Sequence, residues 1–133
     1  MTDKYIKALA RHERSQQEVR RLKMAIGESI AKCPVDVSVM KMCVGVDALL
    51  DDKGRTKTHI WHALRKVVDD GPQNHRLLTS SEITAYLADT ETGCQHCHEA
   101  WRLIQQRKAA RQELGIAKRS IRRLGKSAIN ACD

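Results

Sequence analysis

Aromatic residues are scarce in this sequence of 133 residues, which contains no Phe, two Trp and two Tyr. A β-sandwich normally needs more aromatic side chains than this. With a hydrophobic fraction of 41%, the core must be built from Ile, Leu, Val, Ala and Met at helical spacing. The length allows one compact domain, and no tandem repeat divides it. The sequence therefore predicts an all-α fold in a single domain, residues 1–133.

Long apolar runs are also absent. No stretch approaches the roughly 18 to 20 apolar residues that would span a bilayer, and the N-terminus lacks the apolar core of a signal peptide. We therefore expect a cytoplasmic protein with no membrane partner. The five cysteines would stay reduced in that compartment, which favours metal binding or burial over a disulfide framework.

Catalytic motifs are missing as well. The sequence has no nucleophile elbow, no Gly-rich phosphate loop, no HExxH motif and no paired carboxylates. His59 and His62 flank Trp61 at a spacing that could place both on one helix face for a metal, but no carboxylate motif accompanies them. His12 is expected to be a polar residue that limits the register of helix pairing. We expect that the protein is not an enzyme.

Heptad spacing, as in a coiled coil, predicts that residues 1–33 and 96–125 form two long helices. Pro34 disfavours helical geometry in the residue before it, so the first helix should end at Cys33. The seam of this helix comprises Tyr5, Leu9, His12, Gln16, Val19, Ile26 and Ile30. The seam of the last helix comprises Trp101, Ile104, Leu114, Ala117, Ile121 and Leu124.

The two predicted helices have similar lengths, which suggests that they pair as an antiparallel hairpin with their seams facing each other. This pairing would place Tyr5 near Gly125 and Cys33 near Cys97. The same helical surface could also pair two copies of the chain, so a homo-oligomer is compatible with the sequence.

Residues 34–93 are expected to form a small helical insertion in the hairpin. Residues 35–50 fit either a strand or one helical face, and we favour a helix from about Ser38, because a lone strand would have no partner elsewhere in the chain. A further helix is expected over residues 58–68, ended by Gly71 and Pro72. A capping box over residues 79–82 then begins a short helix.

The strongest chemical motif is the CxxC formed by Cys94 and Cys97. Its spacing allows two thiolates to bind one tetrahedral metal ion, and the N-terminus of the following helix favours their negative charge. Burial of the cysteines as small hydrophobic residues and a redox-active dithiol are alternatives that the spacing leaves open. We favour a metal site.

Helix pairing would add Cys33 to the CxxC motif as a third ligand. The fourth ligand is expected to be Cys43 first, and next His98 or His96, since neutral imidazole is an ordinary zinc ligand. The sequence therefore predicts a structural Zn²⁺ site that joins the ends of the two long helices.

Positive charge exceeds negative charge, with 24 Lys and Arg against 16 Asp and Glu. The excess lies in the two terminal segments, whereas residues 34–93 are slightly acidic. The basic residues that surround the seam of the last helix are Arg102, Arg107, Lys108, Arg111, Lys118, Arg119, Arg122 and Arg123. Such a surface could follow a phosphate backbone. A charged helix is more often only solvated, and no aromatic residues interleave with these basic ones.

The segments GCQHC at 93–97, AWRLI at 100–104, RKAAR at 107–111 and LGIAKR at 114–119 resemble the C-terminal part of small accessory proteins of temperate bacteriophages. AIGESI at 25–30, followed by Cys33 and Pro34, is similar to their N-terminal helix. The resemblance covers the two long helices well and the middle of the chain poorly. It implies a viral protein that works in the host cytoplasm, and it brings no established activity with it.

Three functions are compatible with these features. The first is a non-enzymatic phage protein that binds a host protein or nucleoprotein complex through its basic helices, as an inhibitor of host defence of the anti-CRISPR kind would, by analogy only. The second is a zinc-stabilised regulatory protein that binds DNA or RNA directly. The third is a dithiol redox protein.

Overall fold

The computed structural model describes residues 2–34 and 57–132, and within them it contains four helices and one two-stranded sheet. The helices are α1 (Thr2–Ala31), α2 (His59–Arg65), α3 (Ser80–Ala88) and α4 (Gln95–Cys132). The strands are β1 (Val67–Asp69) and β2 (His75–Leu77). The predicted helical fold, a long antiparallel hairpin of the N- and C-terminal helices with a small insertion, is confirmed, with the small sheet as an addition.

None of the helices in these two ranges is long and apolar enough to cross a membrane.

The chain forms two compact units. The first consists of Met1–Ala25 and Leu103–Asp133, and the second of Ile26–Arg102. Both long helices contribute to both units. The single domain predicted for residues 1–133 stays a prediction.

In the first unit α1 presents a heptad seam of small and apolar side chains. Ala8, Ser15 and Leu22 are buried, and the half-buried His12 and Val19 lie between them. The alternating spacing of four and three residues is that of a helix packed along one seam. Because Ala and Ser are small, a neighbouring helix can approach closely at these positions.

The predicted seam of α1 is wrong near its beginning. Tyr5 and Leu9 are 39% and 43% exposed, whereas Ala8 is buried. The predicted and observed seams have the same heptad period and share His12, Val19 and Ile26. They differ because hydrophobicity favours large Leu over small Ala, whereas the packed structure buries the smaller side chain.

On α4 the residues of the predicted seam are buried or half-buried, but the prediction omits Leu103, which is buried. Ala117 is fully buried, and Ile104, Leu114, Ile121 and Leu124 are half-buried. Within the first unit, Arg11 of α1 donates a hydrogen bond to the carboxylate of Glu113 of α4. The helix ends at Cys132 rather than near Gly125, because Gly125 keeps helical geometry and no proline follows to interrupt it.

The second unit has its core between α2, α3 and the beginning of α4. Its buried side chains include Ile60, Ala63, Ile83, Leu87, Cys97, Ala100 and Trp101. The indole N–H of Trp101 donates to Oγ1 of Thr84 at 3.1 Å, so the buried ring keeps a polar partner. The capping box is confirmed, since Thr79 Oγ1 accepts from the Glu82 amide and the Glu82 carboxylate accepts from the Thr79 amide.

The helix predicted over residues 58–68 is wrong at its C-terminal end. Val67 lies in β1, where it pairs antiparallel with Leu77 of β2. Two consecutive β-branched valines favour a strand, and Gly71, with φ 124°, adopts a turn geometry that side chains disfavour. The preference for a helix over residues 35–50 assumed that the rest of the chain contains no strand, whereas β1 and β2 are strands. The helix expected from about Ser38, and the choice between helix and strand for residues 35–50, lie outside the described residues.

Candidate metal centre

Four side chains of the second unit converge at one point. The ligand atoms of Cys33, His59, Cys94 and Cys97 all lie within 4.8 Å of one another. The sulfurs of Cys33 and Cys94 are 3.8 Å apart, and the Cys33 sulfur is 3.1 Å from Nδ1 of His59. Thiolates bound tetrahedrally to one ion at about 2.3 Å would lie roughly 3.8 Å apart. This group, called the metal cluster below, could therefore bind a metal ion.

Cys33 is placed by the end of α1. Its amide donates to the carbonyl of Ile30 at 3.0 Å, which forms a tight turn just after the helix, and Pro34 prevents the helix from continuing. The helix itself ends at Ala31, two residues before the predicted end. The Ser29 hydroxyl donates to the carbonyl of His96 at 2.7 Å, which fixes the end of α1 beside the beginning of α4.

The CxxC motif begins α4. The Cys94 sulfur accepts a hydrogen bond from the amide of Cys97 at 3.3 Å, as the oxygen of a capping side chain does at other helix starts. Cys97 lies in the first turn and is fully buried. The N-terminus of α4 favours negative charge on the sulfur of Cys94.

Gly93 allows the CxxC motif to approach α3 closely. A Cβ atom at this position would lie closer than 3.0 Å to backbone atoms of Leu87. The amide of Gly93 also donates to the carbonyl of Asp89 at 2.8 Å. The loop that presents Cys94 therefore depends on a residue without a side chain.

His59 occupies the first position of α2. Thr58 caps this helix, and its Oγ1 accepts from the Trp61 amide at 3.3 Å. The fixed start of the helix points Nδ1 of His59 at Cys33. His62, which the sequence pairs with His59, instead lies edge-on to the Trp61 ring, with 5.0 Å between ring centroids.

The structure brings together three of the four predicted metal ligands, Cys33, Cys94 and Cys97. Cys43 lies outside the described residues. His96 and His98 belong to the first turn of α4, and neither is part of the metal cluster found among the described residues. Sequence reasoning missed the partnership of His59 with the cysteines. The one sequence signal for it is that His59 directly follows Thr58, a residue type that caps helices. His59 lies in a different segment of the chain from the three cysteines.

Burial governs protonation in the metal cluster. It raises the pKa of the Cys33 and Cys97 thiols, most strongly at Cys97, and lowers the pKa of His59. Neutral imidazole is the form that binds metals. Several thiols side by side in a half-buried place do not ionise together unless a cation compensates their charge, and a bound divalent ion supplies that compensation.

A pocket of about 600 Å³ lies beside the metal cluster and is lined by two of its members, His59 and Cys94. Asp89, Thr90 and His98 provide polar groups on its other sides. An ion could therefore reach the cluster from solvent without displacing the core.

The predicted basic residues of α4 differ in their surroundings. In the second unit, the Arg102 guanidinium donates two hydrogen bonds to the carboxylate of Glu99, one turn earlier. In the first unit, Arg107 is half-buried, and its pKa is lowered by burial and by the neighbouring charge of Arg111. Arg102 and Arg107 are therefore less available to a partner than the other six.

Arg119, Arg122 and Arg123 form the most concentrated part of this surface. All three are exposed, and together with Lys126 they surround a shallow depression on α4. None of the three forms an ion pair with a residue in the described ranges. The name basic α4 surface is used below for Lys108, Arg111, Lys118, Arg119, Arg122 and Arg123.

Comparison of the chain with protein-family models, with curated proteins and with solved structures finds no match. Its function must therefore be inferred from its own residues. The metal cluster and the basic α4 surface are the two features that bear on it.

Proposed function

We propose that the chain is a non-enzymatic protein, stabilised by one structural Zn²⁺ ion, that binds a macromolecular complex of a host cell through its basic α4 surface. The metal cluster carries this proposal. Its four protein ligands would fill a tetrahedral coordination shell, so no position remains for water or substrate, which is the arrangement of structural zinc sites rather than catalytic ones.

Ligand chemistry supports zinc over other ions. Three thiolates and one imidazole form one of the usual structural zinc sets. Magnesium and calcium prefer oxygen ligands, and most iron–sulfur clusters are held by four cysteines. The ligands come from three separate segments of the chain, so binding would stabilise the folded state over the unfolded one.

Two features support a host complex as the partner. The resemblance of both long helices to small phage proteins favours a target inside the host cell, such as a defence complex that an anti-CRISPR-like inhibitor would block. The six basic side chains of the α4 surface favour a partner with an anionic face, which would also steer association.

Elemental analysis tests the zinc site. Protein purified without chelator should contain about one zinc per chain, as expected for a single four-ligand site. His59→Ala should weaken zinc binding at least roughly tenfold in competition with a chromogenic chelator, because one ligand is lost. His62→Ala is the matched control, since His62 lies in the same helix outside the metal cluster, and it should retain zinc. A wild-type zinc content far below one per chain would falsify the site.

Affinity capture from host lysate tests the partner. The wild-type chain should retain a defined protein complex, with and without nuclease treatment, and Arg119→Ala/Arg122→Ala/Arg123→Ala should lose it. The matched control removes three exposed lysines of α1 instead, Lys4, Lys7 and Lys23. Capture of no protein in either condition, or equal capture by both triple variants, contradicts the proposal.

Direct nucleic-acid binding is the second candidate, favoured by the exposed cluster of Arg119, Arg122 and Arg123. Affinity for duplex DNA should then fall steeply with salt. The triple alanine variant should flatten that dependence by about one power of salt concentration for each phosphate that it no longer neutralises. Affinity that does not change between low and moderate salt rules out this candidate.

A further inference from the structure

A second group of basic side chains contacts aromatic rings at α2. Nζ of Lys57 lies 4.5 Å from the ring centroid of Trp61, and the guanidinium carbon of Arg65 lies 4.2 Å from it. The Arg65 guanidinium also donates to the Trp61 carbonyl at 3.2 Å, which holds it along the ring. Close by in sequence, Nζ of Lys66 lies 5.5 Å from the ring centroid of Tyr86 in α3. These five residues are called the aromatic-basic patch.

The patch carries positive charge that its described surroundings do not neutralise. In the described ranges, neither Lys57 nor Arg65 forms an ion pair. Lys57 and Arg65 both lie over the Trp61 ring, so two positive charges are held close together at α2. Arg76, in the same unit, is by contrast paired with Asp70 and Glu82. An anionic ligand would meet an attractive potential at α2.

The rings of the patch are partly exposed. Trp61 and Tyr86 are only half-buried, and Arg65 and Lys66 are exposed. The other tryptophan, Trp101, is 8% exposed and belongs to the core. The exposed Arg65 guanidinium, which lies over the Trp61 ring, offers a flat cationic group beside that ring.

We propose that the aromatic-basic patch binds single-stranded nucleic acid. Unpaired bases stack on aromatic rings and on guanidinium planes, while neighbouring cations neutralise the phosphates. In a duplex the bases are stacked on each other, so the rings could not reach them. An acidic peptide would use the cations and leave the rings without a role. The patch shares no residue with the basic α4 surface, so this proposal does not depend on the function proposed above.

Tryptophan fluorescence and anisotropy test the patch. Full-length protein purified without chelator is titrated with an oligothymidylate of about 12 nucleotides, comparable to the site size of small single-strand binding domains. Binding should quench the emission of Trp61 and weaken with salt. Lys57→Ala/Arg65→Ala should reduce affinity roughly tenfold or more, whereas the charge-matched control Lys7→Ala/Lys23→Ala should change it less than about threefold.

A second variant separates stacking from charge. Trp61→Leu keeps an apolar side chain and both cations, and it should lose the quenching and roughly fivefold or more in affinity for the oligonucleotide. Zinc content and circular dichroism of each variant verify that it is folded. If Trp61→Leu misfolds, quenching in the wild type by oligothymidylate, compared with an abasic oligonucleotide of equal charge, decides the same question.

Three results would overturn the proposal: unchanged affinity in Lys57→Ala/Arg65→Ala, equal binding of single strand and duplex, or equal competition by polyglutamate of matched charge. The last result would identify the patch as a site for acidic protein.

Loss of oligonucleotide binding only in Arg119→Ala/Arg122→Ala/Arg123→Ala would also refute the patch while leaving the basic α4 surface as a binding site. Loss only in Lys57→Ala/Arg65→Ala would support the patch and count against nucleic-acid binding by α4.

Discussion

At the scale of single residues, Gly93 and Gly27 show that the effect of adding a methyl group depends on the atoms that surround the glycine. A Cβ at Gly93 would collide with the backbone of Leu87, whereas a Cβ at Gly27, near the C-terminal end of α1, would meet nothing within 4 Å. Backbone atoms cannot move aside as a flexible side chain can. Gly93 is therefore needed where it stands, and Gly27 is not.

Gly93→Ala should destabilise the protein by roughly 1–3 kcal/mol through the forced shift of the loop against α3. The zinc affinity should fall with it, because Cys94 follows directly. Gly27→Ala is the matched control and should stabilise by about 0.5–1 kcal/mol, as alanine does inside a helix. Urea unfolding of the zinc-loaded variants measures both. Equal effects of the two substitutions would contradict the close approach seen at Gly93.

The carboxyl of Glu82 is another residue whose surroundings define a test. The hydrogen-bonded Arg76 guanidinium, followed by the Thr79 amide, lowers the pKa of Glu82 to about 2 from its usual value of 4.5. A lowered pKa in the folded state means that the ionised carboxylate stabilises the fold. This contribution is complete above the unfolded value of 4.5 and is lost as pH falls through about 2.

Carboxyl carbon shifts in NMR spectra should show Glu82 still ionised at a pH where an ordinary glutamate is already protonated. Arg76→Ala should move its titration upward, because the largest cause of the shift is removed. Titration of Glu82 near its usual value in the wild type would show that the pair with Arg76 does not form in solution.

At the scale of elements, the members of the metal cluster come from the end of α1, from α2 and from the beginning of α4, and α2 is too short to be stable alone. The helix α2 has 7 residues, far below the length at which a helix is stable by itself in water. His59 at its first position would be held by the metal, and Cys33 and Cys94 would hold the adjoining ends of α1 and α4. The second unit should therefore depend on the ion more than the first.

If the metal cluster binds zinc as proposed, addition of a chelator should increase amide hydrogen exchange in α2, β1 and the first turn of α4 by at least about tenfold. Exchange around Ala117, in the first unit, should change little, because no member of the metal cluster lies there. Exchange by mass spectrometry on metal-loaded and chelated protein measures both. Uniform acceleration along the chain would show that the two units unfold together.

Elements with a local cause were predictable from sequence, and those with a distant cause were not. Pro34 predicts the end of α1 to within two residues, and the capping box of Thr79 and Glu82 predicts the start of α3. The β hairpin was missed because helical periodicity outweighed the two valines before Gly71. Which face of α1 is buried depends on the distance to the neighbouring helix. This distance cannot be derived from the sequence of α1 alone.

The candidate metal site likewise has one part that was predictable from the sequence and one part that was not. The CxxC motif could be recognised in the sequence because its two cysteines are about one helical turn apart. The similar lengths of the two predicted helices were enough to predict Cys33 as a third ligand. His59 lies beside them only in the folded protein, and no local sequence pattern predicts this proximity. The aromatic-basic patch likewise depends on folding, because Lys66 and Tyr86 come from different elements.

At the scale of the whole molecule, the two proposed binding surfaces belong to different units, so removal of the proposed metal ion should separate them. Chelation should abolish binding of single-stranded oligonucleotide by the aromatic-basic patch, which is built on α2. It should leave contacts made by Arg119, Arg122 and Arg123 within about threefold of their strength in the metal-loaded protein, a change of less than 1 kcal/mol. Anisotropy with and without chelator, using the captured partner for the second surface, measures this. Loss of both activities together would contradict their independence.

The distance along the chain between the members of the metal cluster also has a consequence for biosynthesis. Cys33 and Cys94 are separated by 61 positions, and contacts between remote residues form late because the intervening chain must first be brought together. A chain that emerges N-terminus first presents Cys33 and His59 long before the CxxC motif exists. If the site binds zinc as proposed, we expect the yield of folded protein in an expressing cell to depend on the free zinc available after the CxxC motif has been synthesised.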